Sequence, residues 1–132
     1  YRVSSTACAR TLCYNPIAQA GALAIYGPLA AVLDPELALL AEDESGELLG
    51  FVFCIPDYSE GPEPRTAIIK TLASTRKGVG AMLLRAALER VEAKGYARVV
   101  HALMHEANAS VRVSDRFGGR VFRRYALWGK RL

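Results

Sequence analysis

The segment 68–81 combines an apolar run with a short basic turn that contains glycine. The run IIKTLAS is followed by TRKGVGA, in which Arg76 and Lys77 precede Gly78 and Gly80. A helical pattern starts directly afterwards, so free backbone N–H groups and the helix dipole would meet at this turn. Glycine lets a ligand approach the backbone closely, and the two cations add positive charge. The spacing therefore predicts an anion site, with a pyrophosphate as its natural ligand.

Two known phosphate-binding motifs do not fit this turn. A dinucleotide-binding fingerprint needs a third glycine at position 83, where Leu83 stands. A P-loop needs Gly-Lys-Ser/Thr after the turn, and none follows. A glycine-containing strand-to-helix turn that binds nothing stays open as the alternative to a pyrophosphate site.

A second group of polar residues follows the apolar run ARVVHALM at 97–104. His105 and Glu106 come directly after it, and ligand sites of α/β sheets lie at the carboxyl ends of strands. A histidine titrates near neutral pH and suits a general base. His101 lies inside the run, where packing in the core is the alternative to catalysis. Tyr125, in the terminal segment, is the remaining candidate for a general acid, and packing is its alternative.

Regular patterns predict the elements that position these residues. Residues 1–15 carry little periodicity and are expected to be extended or poorly ordered, whereas Asn15-Pro16 is typical of a helix start. The predicted elements are helix 15–26, hairpin strands 37–43 and 48–56, a central strand 66–74, helix 78–94, strand 97–104, helix 108–117 and a terminal strand 120–132. The strand–helix–strand unit is a right-handed crossover, which indicates a mixed α/β (α+β) sheet domain.

Length and composition limit the function classes. The 132 residues fit one domain, 1–132, and no apolar run approaches the roughly 20 residues of a membrane span. A net charge of +4 favours anionic partners. Three cysteines without metal-type spacing favour a reducing cytoplasm, and Cys54 reads as a buried apolar thiol. Because the chain starts at Tyr1 rather than Met, its N-terminal part is expected to be truncated or divergent.

The turn and the order of elements together resemble the GNAT superfamily of acetyl-CoA-dependent N-acetyltransferases. The stretch STRKGVG is similar to the family's coenzyme A pyrophosphate loop, usually R/Q-x-x-G-x-G/A. Asn108 and Ser110 stand where the family often has Asn-x-x-Ala/Ser, and GGRVFRRYALWGKRL looks like a tail common in bacterial members. The resemblance implies a mixed central sheet flanked by helices, with splayed central strands that bind acyl-CoA.

The resemblance also implies roles for individual residues, with acetyl-CoA or coenzyme A as the cofactor. The cofactor-binding residues it implies are Lys70, Thr71, Leu72, Arg76, Lys77, Gly78, Val79, Gly80, Ala81, Asn108 and Ser110. Backbone N–H groups of the first three would stabilise the oxyanion, and Asn108 would hold the pantetheine arm. The candidate catalytic residues are Glu106, His105 and Tyr125, and no metal site is predicted.

The chain departs from the family pattern at two informative positions. Thr75 occupies the place of the loop's first Arg or Gln, so one phosphate contact is assigned to Arg76 instead. The tyrosine that commonly protonates the leaving thiolate in the family would fall near Asp115, and no tyrosine is there. Coenzyme binding is therefore better supported by the sequence than efficient transfer.

The predicted function is transfer of an acetyl group from acetyl-CoA to a primary amine of a small molecule or peptide. A non-catalytic module that binds or senses acyl-CoA is the alternative. A nucleic-acid-binding protein ranks last, because the basic tail lacks interleaved surface aromatics for stacking on bases. No membrane partner is expected, the amine substrate is not identified by the sequence, and the oligomeric state stays open, with a homodimer as one alternative.

Overall fold

One four-stranded sheet organises the chain. The computed structural model describes residues 1–9, 15–31 and 33–130. Its helices and strands are α1 (Arg2–Cys8), α2 (Gln19–Tyr26), β1 (Ala38–Glu42), β2 (Leu48–Pro56), β3 (Thr66–Ser74), α3 (Val79–Ala93), β4 (Arg98–His101) and α4 (Ala109–Arg116). The mixed α/β class predicted from the sequence is confirmed.

The strands lie in the order β1-β2-β3-β4. β1, β2 and β3 pair antiparallel, and β3 pairs with β4 in parallel through the crossover helix α3. Asp43 closes the β1–β2 hairpin, because its carboxylate accepts the N–H groups of Ser45 and Glu47 at 2.9 and 3.0 Å. The hairpin, the central strand and the crossover helix are all where their hydrophobic periodicity predicted them.

Helix α3 supplies much of the core, and its buried side chains fix it against the sheet. The side chains it buries are Val79, Leu83, Leu84, Ala87 and Val91. They pack on Val52 and Cys54 of β2, so the expectation of a buried Cys54 thiol is confirmed. Gly50 makes the close approach possible, since a Cβ there would lie 2.9 Å from Leu83 Cδ1 and 2.9 Å from the Ala73 carbonyl oxygen.

The N-terminal prediction was wrong in two places. Residues 1–15 were expected to be extended or poorly ordered, but Arg2–Cys8 is helical and buries Val3, and this helix contacts β2 and β3. Tertiary packing, rather than local periodicity, stabilises this short helix. The helix expected from Asn15 begins only at Gln19, after an extended Ala18, and no residue of α2 is buried. Residues 10–14 lie outside the described part of the chain.

The C-terminal prediction was partly right. Helix 108–117 is observed as Ala109–Arg116, with Asn108 as its N-cap. The strand expected over 97–104 is limited to Arg98–His101. The terminal strand is absent from residues 120–130, and the rest of that prediction lies outside the described residues. The alternation of the tail makes a strand feasible, but a strand also requires hydrogen bonds to a neighbour, which the pattern cannot report.

In the part of the chain that the structure describes, none of the helices has the length and apolar character needed to cross a membrane.

Candidate active site at the separation of two parallel strands

Strand β3 has different neighbours along its two halves. Its ladder with β2 runs to Ser74, whereas its ladder with β4 ends at Ile69, opposite His101. A register shift in the β2 ladder leaves Lys70 without a partner residue there as well. A bulge of this kind bends a strand and increases its local twist. Within the described residues, the second half of β3 therefore has an open edge on the β4 side.

The turn after β3 presents unpaired backbone donors. The N–H groups of Arg76, Lys77, Gly78 and Gly80 donate no hydrogen bond to any residue that the structure describes. They lie at the start of α3, where the helix dipole is positive. Several such donors next to a helix start form a site that attracts an anion.

Two other amides of the predicted loop are already used by the fold. The Val79 N–H donates to the Arg76 carbonyl at 3.3 Å, and the Ala81 N–H donates to the Gly78 carbonyl at 3.1 Å. The Val79 side chain is also buried in the core. Val79 and Ala81 therefore shape the turn, while the neighbouring amides are free to bind.

Glycine is needed at the turn for two different reasons. Gly78 has φ of +91°, in the left-handed region that favours glycine, and a Cβ there would meet no atom within 4 Å. Gly80 is limited by space instead, since a Cβ would lie 3.2 Å from Ser74 Oγ. The space in front of Gly78 is open to a ligand.

The side chains of the turn add positive charge at the surface. Arg76 and Lys77 are both exposed. Hydrogen bonds from Ser45 and Glu47 lower the pKa of the nearby Asp43 carboxyl, and attraction to Arg76 lowers it further by a smaller amount. Arg76 therefore has one carboxylate within electrostatic range, whereas Lys77 has no ion-pair partner among the described residues.

Thr75 has a structural role. Its N–H and its hydroxyl both donate to the Leu49 carbonyl, at 2.9 and 3.1 Å. These two bonds fasten the beginning of the turn to β2. The residue that replaces the family's Arg or Gln thus positions the loop through the fold.

The residues after β4 form a tight, exposed turn. His105 and Glu106 are exposed, and His105 Nδ1 accepts the Ala107 N–H at 3.2 Å. Asn108 follows as the N-cap of α4, because its side-chain oxygen accepts the Ser110 N–H at 2.9 Å. The turn after β4 and the first turn of α4 thus bring together four polar residues: His105, Glu106, Asn108 and Ser110.

Tyr125 is not brought to this place. It lies in the tail 120–130, which has no helix or strand, and 68% of it is exposed. Its hydroxyl accepts a hydrogen bond from Arg123 at 3.3 Å. Among the described residues, no hydrogen bond joins the Tyr125 side chain to β3 or β4.

A polar pair at the end of β4, formed by the half-buried His101 and the buried Ser114, was only half anticipated. His101 Nδ1 is in hydrogen-bond contact with Ser114 Oγ, which also lies 4.0 Å from the Met104 sulfur. Sequence reasoning considered His101 but not Ser114. The available signal was the helical spacing of Ser110 and Ser114, four residues apart, which places both on one face of α4.

Comparison with known proteins identifies the family of the chain. The sequence profile of the Acetyltransferase (GNAT) family matches residues 10–118. The chain belongs to the GNAT acetyltransferase family. It is thus assigned as an acetyl-CoA-dependent N-acetyltransferase, because members of the GNAT family use acetyl-CoA as the acetyl donor. No significant match was found among curated proteins.

Solved GNAT structures share the fold at low sequence identity. AAC(6')-Iy in complex with the bisubstrate analog CoA-S-monomethyl-acetylneamine is 19% identical, with a TM-score of 0.65 over 93% of this chain and 87% of that one. Ribosomal-protein-alanine N-acetyltransferase from Brucella melitensis is 14% identical, with a TM-score of 0.65 over 89% and 74%. The aminoglycoside 6'-N-acetyltransferase AAC(6')-IG from Acinetobacter haemolyticus is 16% identical, with a TM-score of 0.61 over 89% and 85%.

The turn at 76–80 has the features of an anion site. Free N–H groups, open space at Gly78 and two exposed cations suit a doubly charged phosphate pair. The open edge of β3 leaves backbone groups unpaired, and an extended ligand could pair with them in the manner of an added strand.

Proposed function

We propose that the chain transfers the acetyl group of acetyl-CoA to a primary amine of a small molecule or a peptide. The observation that carries the proposal is the continuity of two features. An open edge of β3 begins at the Lys70 bulge and leads directly into a turn with four free N–H groups. One extended ligand with an anionic end would use both features at once.

The donor would be held mainly by backbone groups. In the proposal, the amides of Arg76, Lys77, Gly78 and Gly80 bind the pyrophosphate, and the two side-chain cations add long-range attraction. Asn108 would bind the pantetheine arm through its amide nitrogen, since its side-chain oxygen already caps α4. Backbone donors suit this task because they need no side-chain ordering when the ligand binds.

The reacting carbonyl would lie at the bulge. We assign oxyanion stabilisation to the N–H groups of Lys70, Thr71 and Leu72, where β3 has separated from β4. Preorganised donors at a developing negative charge typically contribute about 3–4 kcal/mol to catalysis.

Proton removal from the amine stays with the residues predicted for it. His105 and Glu106 are exposed and follow β4. In the proposal, one of them takes the proton of the amine through a water molecule. General-base catalysis of this kind contributes about 10²–10⁴-fold. Tyr125 would need the tail to fold over the site before it could act as an acid.

The acceptor is proposed from the chemistry of the structural relatives. The names of two of them specify an aminoglycoside and the alanine of a ribosomal protein, which both offer a primary amine. The acceptor panel should therefore contain aminoglycosides, peptides with an N-terminal alanine, polyamines and amino acids.

The test is release of free thiol from acetyl-CoA with each amine, together with mass spectrometry of the acetylated product. We expect at least one amine class to raise thiol release well above the rate without amine. If coenzyme A binds tightly and no amine stimulates release, the transferase proposal falls and the acyl-CoA-binding module replaces it.

A further inference from the structure

Two polar side chains are buried among the described residues, and the fold uses them differently. Thr66, 2% exposed, donates its hydroxyl to Glu60 Oε1 at 2.6 Å, and its N–H donates to Oε2 at 2.9 Å. These bonds close the loop before β3. Ser114 is 9% exposed, and among the described residues its hydroxyl has two hydrogen-bond partners, His101 Nδ1 and, more weakly, the Met104 sulfur. The main partner of the Ser114 hydroxyl is therefore the imidazole ring of His101.

The pair lies beside the proposed reaction centre. His101 is the last residue of β4 and pairs with Ile69, directly before the Lys70 bulge. Neighbouring strands are about 4.8 Å apart and rise roughly 3.3 Å per residue, so before the strands separate the 70–72 amides start at about 6–11 Å from the His101 backbone. Ser114 brings α4 to the same point.

The surroundings keep the imidazole ring of His101 in a form that can both donate and accept a proton. Burial lowers the pKa of His101, so the imidazole is neutral at neutral pH. A neutral imidazole has one N–H donor and one bare nitrogen acceptor. Because Nδ1 is bonded to the Ser114 hydroxyl, Nε2 is the other ring nitrogen at which a proton can enter or leave.

We propose that Ser114 protonates the departing coenzyme thiolate and that His101 resupplies the proton. This inference rests on the proposed transferase function and deepens it. It gives the chain a general acid where the family pattern has a tyrosine and this sequence has Asp115. Asp115 is exposed, whereas its neighbour Ser114 is buried against β4.

The proton balance closes within the site. A C–N bond forms between the amine and the acetyl carbon, and the C–S bond breaks. Ser114 Oγ gives its proton to the sulfur, and the Nδ1–H of His101 gives its proton to Ser114 Oγ. Nε2 of His101 takes the proton that the amine loses, through His105, Glu106 or water. One proton thus moves from nitrogen to sulfur, and the half-buried ring returns to its first tautomer by exchange with water.

The first experiment compares turnover with coenzyme A affinity. We expect Ser114→Ala and His101→Gln each to lower kcat about 10²–10⁴-fold, the range of general acid–base catalysis. Coenzyme A affinity by calorimetry should stay within about twofold, because free coenzyme A needs no protonation. Ser114→Thr, which keeps the hydroxyl, should recover a large part of the lost turnover.

A matched control truncates a neighbouring side chain that packs in the core and carries no hydroxyl. Val113 neighbours Ser114 in α4 and packs against the core. Val113→Ala should lower the free energy of unfolding while kcat stays close to that of the parent protein. If Val113→Ala reduces kcat as strongly as Ser114→Ala, the effect is structural and the proton role is wrong.

A second readout does not need turnover. Imidazole ¹⁵N NMR of the parent protein should show the Nδ1 of His101 hydrogen-bonded, and Ser114→Ala should change that resonance. Added coenzyme A should shift the His101 resonances in the parent protein and shift them less in Ser114→Ala. An unchanged His101 signal in both cases overturns the pairing on which the inference depends.

The two proposals fail in different ways. A parent protein that acetylates no amine ends the transferase proposal and this inference with it. A parent protein that is active, with Ser114→Ala equally active and correctly folded, ends only the inference.

Discussion

The β3–turn–α3 unit and the two exposed segments, α2 and the tail 120–130, are built in opposite ways. Helix α3 buries five side chains, whereas α2 buries none although it is the more apolar helix. Leu23 in α2 is 65% exposed, and Trp128 in the tail is 94% exposed. Apolar content alone therefore does not place a segment in the core; a partner surface at the right distance does.

The same contrast separates the two halves of the proposed reaction. The turn proposed to bind the donor is held from several sides, by the core below α3 and by the Thr75 bonds to β2. The exposed segments carry few such constraints. We infer that the donor half tolerates little change, while α2 and the tail are free to differ and to set acceptor preference.

The largest expected effect comes from adding one methyl group at Gly50. A Cβ would clash with Leu83, Val79 and the Ala73 carbonyl at 2.9–3.0 Å, so α3 must move away from β2. We expect Gly50→Ala to lower the free energy of unfolding by up to about 3 kcal/mol. Urea denaturation measures this change, and coenzyme A affinity should fall with it, since the start of α3 carries the turn.

The same substitution in α2 should have the opposite sign. A Cβ at Gly21 would make only an ordinary contact of 4.0 Å, so Gly21→Ala should stabilise the chain by about 0.5–1 kcal/mol through helix propensity. Equal effects at both glycines would contradict the contrast between the two regions.

The next effect separates backbone strain from ligand binding. Gly78 and Gly95 both have positive φ, +91° and +82°, and lie at opposite ends of α3 with open space around them. Alanine at either position should cost about 1–2 kcal/mol of stability. Only Gly78→Ala should also weaken coenzyme A binding, by about tenfold. Comparable affinity loss in Gly95→Ala would remove the turn as the binding site.

Loss of a single charge should have a smaller effect. Arg76 is exposed, so its attraction is screened, and Arg76→Ala should weaken coenzyme A binding by about 1 kcal/mol, roughly three- to tenfold. Arg90→Ala removes the same charge near the far end of α3 and should change affinity much less. An equal loss in both variants would indicate attraction to the whole basic chain.

The smallest effect is a pH dependence of stability. Burial lowers the pKa of His101 in the folded chain below its ordinary 6.5, so the unfolded chain binds the proton more readily. The contribution of His101 to the free energy of unfolding should be fully present above pH 6.5 and should decline as the pH falls through the lowered pKa of this residue. Denaturation midpoints between about pH 5 and 7 measure this. The decline should vanish in His101→Gln and persist in His105→Gln; persistence in His101→Gln would refute the assignment.

Sequence reasoning reached the parts of this structure that local signals define. Strand β3 and helix 79–93 each have a recognisable hydrophobic pattern, and the turn between them has its glycines. Asn108 is a residue type that commonly begins a helix. The contact between Gly50 and Leu83 has no local signal, because it depends on how closely α3 docks. The His101–Ser114 contact joins residues 13 positions apart and depends on where α4 lies.

The terminal segment shows the limit most clearly. Its alternation describes a chain that is able to be a strand, whereas strand formation requires a partner edge in register. Helix α1 shows the converse, since Arg2–Cys8 has no periodic signal and is held by burial of Val3. In both cases the deciding interaction lies far away in sequence.

The central claim is that the acetyl donor binds along β3 and ends at the turn 76–80. An amide ¹⁵N–¹H NMR titration with coenzyme A tests it residue by residue. We predict the largest and saturable shifts at Arg76, Lys77, Gly78 and Gly80, with smaller ones along 70–74. If these amides stay unmoved while those of the basic tail 120–130 shift, the donor does not bind at the turn and the account is wrong.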